Sequence, residues 1–236
     1  MNAIPTVLYI VDDEPEVRRA LSRLLRAAGY TTRSFGSASE FLASGEARLS
    51  AGCIILDLAM PGLNGLELQE CLTEYGCRRP IIFLTGNGDI SKTVRAMKAG
   101  AVNFLTKPVD DRELFAAVEE ALRVDAAGRA AWSTWHSVSE RLSTLTRRER
   151  QVFEQVVAGR LNKQIAAELG IVEKTIKVHR ARVMRKMNAG SIVELVHLAS
   201  VVGVDTWPTS GSEPLPERDL NIQPEPEPEH SRQEAR

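Results

Sequence analysis

The stretch Cys53-Ile-Ile-Leu-Asp57 is an apolar run of strand length that ends on a carboxylate. A second run of the same kind, Ile81-Ile-Phe-Leu-Thr85, ends on a hydroxyl. Near-continuous apolar runs are typical of strands that are buried on both faces, as in a parallel sheet covered by helices. Short aliphatic or β-branched runs predict three further strands, at residues 7–11, 31–35 and 102–106.

Amphipathic helical patterns separate these strands, near residues 15–28, 38–44, 65–75, 90–99 and 111–123. Pro15 suits a first helical turn, and three cap-x-x-Glu spacings mark other helix starts: Ser37/Glu40, Asn64/Glu67 and Asp110/Glu113. Five strand–helix units predict an α/β domain with a doubly wound, five-stranded parallel sheet of the flavodoxin-like kind.

Polar side chains follow four of the predicted strands. Asp12 and Asp13 follow the first strand, Asp57 ends the third, Thr85 ends the fourth and Lys107 follows the fifth. Ligands of an open parallel sheet bind at the carboxyl ends of its strands, and three anions brought together there need a compensating cation. Carboxylate oxygens suit Mg²⁺ or Mn²⁺. A hydroxyl and an ammonium beside a metal-loaded carboxylate form a site for a phosphoryl group.

Longer motifs surround these residues: Val11-Asp-Asp-Glu14, Leu56-Asp-Leu-Ala-Met-Pro-Gly62, Thr85-Gly-Asn-Gly-Asp89, and Ala96-Met-Lys-Ala-Gly-Ala101 followed by Phe104-Leu-Thr-Lys-Pro108. With them, residues 5–123 resemble the receiver domain of two-component response regulators, and the last two motifs are similar to the FixJ branch in particular.

This resemblance implies roles for individual residues. Asp57 would accept phosphate from a histidine kinase, and Mg²⁺ would be held by Asp13, Asp57 and the backbone carbonyl of Ala59, with Asp12 acting through water. Thr85 and Lys107 would hold the phosphoryl oxygens. Phe104 would be the switch aromatic, and the Lys107–Pro108 peptide bond would be cis, which is chemically accessible for a proline.

Composition excludes several classes of protein. The chain has 236 residues, 43% hydrophobic and 26% charged, which is enough for two modest soluble domains. No apolar run reaches the roughly 18 residues of a membrane span, and residues 1–6 lack the features of a signal peptide. Cys53, Cys71 and Cys77 have no metal-ligand or C-x-x-C spacing, so we expect reduced thiols in a cytoplasmic protein.

The net charge of −1 conceals an asymmetry along the chain. Residues 1–125 carry 14 Lys/Arg against 17 Asp/Glu, residues 126–203 carry 13 against 6, and residues 204–236 carry 3 against 8. The basic middle segment is therefore the part that we expect to meet a polyanion. The Pro/Glu-rich residues 204–236 are predicted to form a disordered tail, because they cannot bury enough apolar area to offset ordering.

Residues 124–138 are predicted to be an interdomain linker, helical in part. Its two tryptophans, Trp132 and Trp135, either form a docking surface or cap one end of a domain core.

The basic segment reads as four helices without a strand. Thr146 and Glu149 form a capping box for the first, and Asn162 is predicted to cap the second, at 163–169, before a turn at Gly170. The third runs over 173–187, and Ser191 caps the fourth, at 192–202. The third helix has the inward positions Ile176, Val183 and Met187. His179 lies beside them, and we expect it to pack and hydrogen-bond against the first helix; a ligand or pH-sensing role is the alternative.

Three stretches of this segment carry a second resemblance: Leu145-Thr-Arg-Arg-Glu-Arg150, Asn162-Lys-Gln-Ile-Ala-Ala-Glu-Leu-Gly170 and Lys174-Thr-Ile-Lys-Val-His-Arg180. Residues 139–203 are similar to the LuxR-type helix-turn-helix domain of the NarL/FixJ family. That domain would place its third helix in the DNA major groove. The residues then expected at DNA are Lys177 and Val178 at base edges, Ala181 nearby, Lys174, Thr175 and Lys186 at phosphates, and Lys163 and Arg182 on the same surface.

One departure from this family is the residue before the third helix. The family often has Ser or Thr there, whereas this chain has Val172. A missing N-cap costs about 1 kcal/mol of helix stability.

The sequence therefore predicts a transcription factor switched by aspartyl phosphorylation, and not an enzyme. The expected partners are a sensor histidine kinase, double-stranded promoter DNA, RNA polymerase and a second copy of the chain. Dimerisation on phosphorylation is expected through the face of helix 90–99 and strand 102–106, where Thr85 and Phe104 would transmit the change. The surface residues expected there are Ala96, Met97, Ala101 and Val102; dimerisation through the final helix, whatever the phosphorylation state, is the alternative.

Two other functions are weighed against this one. A Mg²⁺-dependent phosphohydrolase would need a second Asp two residues after Asp57, and that position is Ala59. An output domain that binds protein or RNA would differ from a DNA-binding one in a gel shift at two salt concentrations. A dinucleotide-binding enzyme is excluded, because no G-x-G-x-x-G follows the first strand.

Overall fold

The computed structural model describes residues 6–46, 51–86 and 90–204. The chain divides into two compact units between Thr144 and Leu145. The tail that is predicted to be disordered lies outside the described residues from residue 205 onwards. Among the described residues, no helix is both long enough and apolar enough to cross a membrane.

The first unit is built on a five-stranded parallel sheet with the strand order β2-β1-β3-β4-β5. Its strands are β1 (Thr6–Val11), β2 (Thr31–Phe35), β3 (Ala51–Asp57), β4 (Ile81–Thr85) and β5 (Asn103–Thr106). This order confirms the predicted flavodoxin-like, doubly wound sheet. Every residue of β3 and β4 is buried, which explains why these two strands read as unbroken apolar runs.

Helices cover both faces of the sheet: α1 (Pro15–Ala27), α2 (Ala38–Ala43), α3 (Gly65–Glu74), α4 (Ile90–Lys98) and α5 (Asp111–Ser143). Alternate residues of one strand enter different cores, since Tyr9 joins one buried cluster and Ile10 the other. The predicted caps are confirmed, because the side chains of Ser37, Asn64 and Asp110 accept backbone hydrogen bonds from the first turns of their helices.

Helix α5 is the main departure from the sequence prediction. It continues past residue 123, without a break, as a helix of 33 residues that includes the predicted linker. Asp125 is buried, and its Oδ2 accepts hydrogen bonds from Gly52 N at 3.1 Å and Arg129 Nε at 2.8 Å. The first unit thus holds α5 beyond residue 123. Trp132 and Trp135 are 56% and 46% exposed on this helix, so they do not cap a core.

The second unit consists of α6 (Arg147–Val157), α7 (Asn162–Leu169), α8 (Glu173–Met187) and α9 (Ile192–Val201). Its core includes the fully buried side chains of Phe153, Ile165, Ile176 and Val183. Helix α7 is capped at its C-terminus by Gly170, whose backbone has a φ of +64° as a tight turn between helices requires.

The helix starts of this unit follow the sequence prediction except in α7. Thr146 forms the predicted capping box with Glu149, and α8 begins after Val172 without a side-chain cap. The prediction that Asn162 caps α7 is wrong, because Leu161 occupies the N-cap position. Asn162 Oδ1 instead accepts a hydrogen bond from Arg180 Nη1 at 2.9 Å, which ties the start of α7 to α8.

Candidate functional site

The three strand-end carboxylates lie together, as the sequence predicts. Strands β1 and β3 are parallel neighbours with Val11 opposite Leu56, so the residues that follow emerge at one edge of the sheet. One oxygen of each of Asp12, Asp13 and Asp57 lies within 4.8 Å of the others. Asp12 is fully buried and Asp57 is 4% exposed, whereas Asp13 is half-buried.

Lys107 supplies the positive charge of this cluster. Its Nζ lies 2.8 Å from Asp12 Oδ2, 3.0 Å from Asp57 Oδ2 and 3.1 Å from Glu14 Oε1. Burial alone would lower the pKa of Lys107, but the hydrogen bonds to these three carboxylates outweigh burial and raise it. The ammonium is therefore charged at neutral pH. The peptide bond from Lys107 to Pro108 is cis, as the resemblance implies.

The Asp57 carboxylate is held at both oxygens. Oδ2 faces Lys107, and Oδ1 accepts a hydrogen bond from Ala59 N at 3.2 Å. Burial raises the pKa of Asp57 and outweighs these two hydrogen bonds, which lower it. The cluster thus carries more negative charge than Lys107 compensates. Its carboxylate oxygens are compatible with Mg²⁺, which prefers oxygen ligands and offsets such charge.

Thr85 and Phe104 lie on the two strands beyond Asp57. Thr85 ends β4 and is 3% exposed, and its carbonyl oxygen accepts a hydrogen bond from Lys107 N at 2.7 Å. Phe104 lies opposite Phe83 on β5 and is half-buried against the hydrophobic cluster. All the receiver residues predicted from the sequence therefore lie at or near the carboxyl edge of the sheet.

Two further residues of this edge were not predicted from the sequence as site residues. Glu14 is the third carboxylate on Lys107, and Arg18 Nη1 donates to the backbone oxygen of Asp12 at 2.6 Å. Glu14 directly follows the acidic pair, so its position in the chain was a usable signal. Arg18 lies one turn into α1, where its contact depends on how that helix packs.

A second candidate site is the exposed face of α8, which we call the α8 basic face. The exposed residues of this face are Lys174, Lys177, Val178, Ala181, Arg182 and Arg185, and Thr175 is half-buried at its edge. Lys163, near the start of α7, is also exposed. The opposite side of α8 buries Ile176, Val183 and Met187, as predicted. A basic helix face that is narrow at Ala181 has the shape and charge that a DNA major groove accepts.

Models of known protein families match both units. Residues 8–119 match the response regulator receiver domain, and residues 143–199 match the bacterial regulatory proteins of the luxR family. The chain belongs to the NarL/FixJ family of response regulators. The LuxR-type domain implies DNA as a partner, and membership of this family makes the chain a transcriptional regulator. The receiver domain implies a histidine kinase as a second partner.

Similar response regulators match most of this chain. Response regulator protein TodT of Pseudomonas putida is 45% identical over 198 residues, 84% of this chain and 87% of that protein. Transcriptional regulatory protein FixJ of Bradyrhizobium diazoefficiens is 41% identical over 197 residues, 84% of this chain and 96% of that protein. The solved structure of response regulator StyR superposes with a TM-score of 0.75 at 46% identity, covering 84% of this chain and 99% of that one.

Lys186 differs from the other predicted DNA contacts of this response regulator. It lies off the α8 basic face and is 31% exposed, and its Nζ donates to Glu149 Oε2 on α6 at 2.6 Å. Glu149 is buried, and the bond from Lys186, together with that from Thr146 N, lowers its pKa to about 2. Lys186 is thus an ion-pair partner that joins two helices of the LuxR-type domain.

His179 is half-buried on α8. Its Nδ1 is buried without a hydrogen-bond partner among the described residues, so the predicted hydrogen bond to α6 does not involve this nitrogen. The described residues contain no group of three metal-ligating side chains besides Asp12, Asp13 and Asp57.

Proposed function

We propose that this response regulator accepts a phosphoryl group on Asp57 from a sensor histidine kinase, dimerises through its receiver domain and then binds promoter DNA. The observation that carries the proposal is the contact between the Asp57 carboxylate and Lys107, at 3.0 Å beside two further carboxylates. A nucleophile and a cation for the incoming phosphoryl oxygens are already adjacent.

In the proposed transfer, an oxygen of Asp57 attacks the phosphorus of a phosphohistidine while the P–N bond breaks and the imidazole leaves. Asp13, Asp57 and the Ala59 carbonyl would hold Mg²⁺, with Asp12 acting through water. The ion would neutralise charge on the phosphoryl group. Lys107 would bind one phosphoryl oxygen, and the Thr85 hydroxyl would bind another.

Asp57 acts as a stoichiometric acceptor and not as the nucleophile of an enzyme. A hydrolase would need an acid/base group two residues after Asp57, and Ala59 offers none. The three cysteines are free thiols, which fits a regulator that works in the cytoplasm with a kinase.

The proposed dimer interface is the α4–β5 face of the receiver. Val94 and Met97 on α4 are 46% and 44% exposed, and these exposed fractions are large for apolar side chains. The prediction that Ala96 and Ala101 lie on this face is wrong, because both are buried in the core, at 0% and 7% exposure. Movement of Thr85 towards the phosphoryl group would let Phe104 turn inward and repack this face.

On DNA, α8 would enter the major groove. Lys177 and Val178 would contact base edges near Ala181, and Lys163, Lys174, Thr175 and Arg182 would lie towards the phosphates. The dimer would place its two α8 helices about one turn of the DNA apart. The DNA-bound dimer would then contact RNA polymerase.

Incubation with acetyl phosphate tests the acceptor. The wild type should gain one phosphoryl group by intact-mass spectrometry, and only with Mg²⁺. Asp57→Asn should gain none, while the matched control Asp111→Asn, an exposed carboxylate at the start of α5, should behave like the wild type. Labelling that persists in Asp57→Asn would place the acceptor elsewhere, and rapid repeated turnover would indicate a phosphohydrolase.

A further inference from the structure

The cations of the α8 basic face are poorly compensated within the described part of the chain. Lys174, Arg182 and Arg185 are exposed and form no ion pair with a described residue. Lys177 pairs with Glu173 at 3.3 Å, but both side chains are about half exposed, so water screens the pair. Such a face attracts any flexible or rigid polyanion that can reach it.

The chain itself contains a suitable anion beyond the described residues. Residues 205–236 carry 8 Asp/Glu against 3 Lys/Arg, whereas residues 145–204 carry 11 Lys/Arg against 5 Asp/Glu. The tail therefore has a net charge of −5, and the helical unit before it one of +6. The luxR-family match ends at residue 199, so the tail is an addition to the domain that the family shares.

The tail is long enough to reach α8. Glu213 lies nine positions after Val204, and a chain of nine residue steps spans up to about 30 Å, roughly the diameter of a 60-residue unit. The acidic run Glu225-Pro-Glu-Pro-Glu229 lies further along and has more reach. Because the tail is tethered, its local concentration at α8 is on the order of millimolar, which lets a weak interaction compete.

We propose that the acidic tail, residues 205–236, docks on the α8 basic face of its own chain and competes with DNA there. The carboxylates of the tail take the positions of backbone phosphates, since both anions accept charge-assisted hydrogen bonds from Lys and Arg. The proposal rests on the DNA-binding function proposed above. The tail would be an intramolecular competitor that lowers the affinity of the domain for DNA.

Salt dependence gives the competition a signature. When DNA displaces the tail, the cations on α8 exchange one anion for another. Fewer counterions are then released than when DNA binds a face without the tail. Neutralising the tail should therefore tighten DNA binding about threefold at 50 mM salt and steepen the fall of affinity with salt. The difference should vanish near roughly 300 mM salt, where both interactions are screened.

The test uses full-length variants with the same change in net charge. One carries Glu225→Gln, Glu227→Gln and Glu229→Gln in the tail. The control carries Glu74→Gln, Glu119→Gln and Glu120→Gln, which are exposed on the receiver domain. Only the tail variant should bind a promoter duplex more tightly than the wild type in fluorescence anisotropy. Equal affinities of the two variants at 50 mM salt would overturn the proposal.

A second measurement needs no DNA and separates this proposal from the proposed function. Amide chemical shifts of α8, between Lys174 and Arg185, should differ between the wild type and the tail variant and be unchanged in the control. Differences confined to the tail, to α9 or to the receiver would overturn the docking even if DNA binds. Shifts on α8 with no DNA binding by any variant would support docking and instead contradict the proposed function.

Discussion

Replacing Lys186 with methionine should destabilise the LuxR-type domain, although Lys186 was predicted from the sequence to contact DNA. Its Nζ donates to Glu149 Oε2 at 2.6 Å, and Thr146 N donates to the same oxygen at 2.9 Å. The Glu149 side chain is only 4% exposed. In Lys186→Met the carboxylate would stay buried and keep only its hydrogen bonds to Thr146. The substitution preserves the length of the apolar stem.

The pKa of Glu149 sets the size of this effect. A fall in pKa from 4.5 to about 2 corresponds to roughly 3 kcal/mol of stabilisation of the folded state. Lys186 is the largest cause of that fall, but its own side chain is 31% exposed, so solvent screens part of the interaction. We expect Lys186→Met to lower the free energy of unfolding of this domain by about 2 kcal/mol at pH 7.

Hydrogen exchange by mass spectrometry resolves the domain from the rest of the chain. Peptides from α6 and α8 that exchange through global opening should exchange roughly 30-fold faster in Lys186→Met. Lys174→Met is the matched control, because Lys174 is exposed on the same helix and has no ion pair among the described residues. Exchange rates in Lys186→Met equal to those in Lys174→Met would refute the role given to the Glu149 ion pair.

Three other predictions concern the pH dependence of Glu149, the α8 basic face and the buried Asp125. The stabilisation from Glu149 is present above pH 4.5 and lost as the pH falls towards 2, because its folded-state pKa is depressed; melting of the wild type and of Lys186→Met should converge over that range. Lys177→Ala should relax sequence preference and weaken specific duplexes by about 1–3 kcal/mol, as competition binding would show, whereas Lys174→Ala should weaken all duplexes alike. Asp125→Ala removes the carboxylate that holds Gly52 N and should lower receiver stability by about 1–3 kcal/mol, measurable as faster exchange at the start of β3.

The phosphoacceptor edge could be predicted from the sequence because it depends on little tertiary information. Five short apolar or β-branched runs indicate the strands, parallel pairing fixes which strand ends meet, and Asp57 and Lys107 then lie at one edge. The contacts made there by Arg18 depend on the packing of α1, which no local pattern encodes.

The linker and the DNA-binding domain show where local patterns fail. Residues after 123 combine Gly128 with alanines and few charges, so they resemble a linker, yet α5 continues through them to Ser143. Asp125, in this stretch, accepts a hydrogen bond from Gly52 N, 73 positions away in the chain. Lys186 and Glu149 are 37 positions apart and meet only because α6 packs on α8. Buried polar pairs of this kind are decided by tertiary packing and not by helical periodicity.

Sedimentation velocity of the full-length chain with Mg²⁺, with and without beryllofluoride, tests most directly whether a phosphoryl group on Asp57 switches the protein. Beryllofluoride occupies the position of the phosphoryl group on the acceptor carboxylate. The wild type should shift from monomer towards dimer, while Asp57→Asn and Thr85→Ala should sediment alike with and without the mimic. The same monomer–dimer constant for the wild type in both conditions would contradict the coupling of Asp57 to the α4–β5 face.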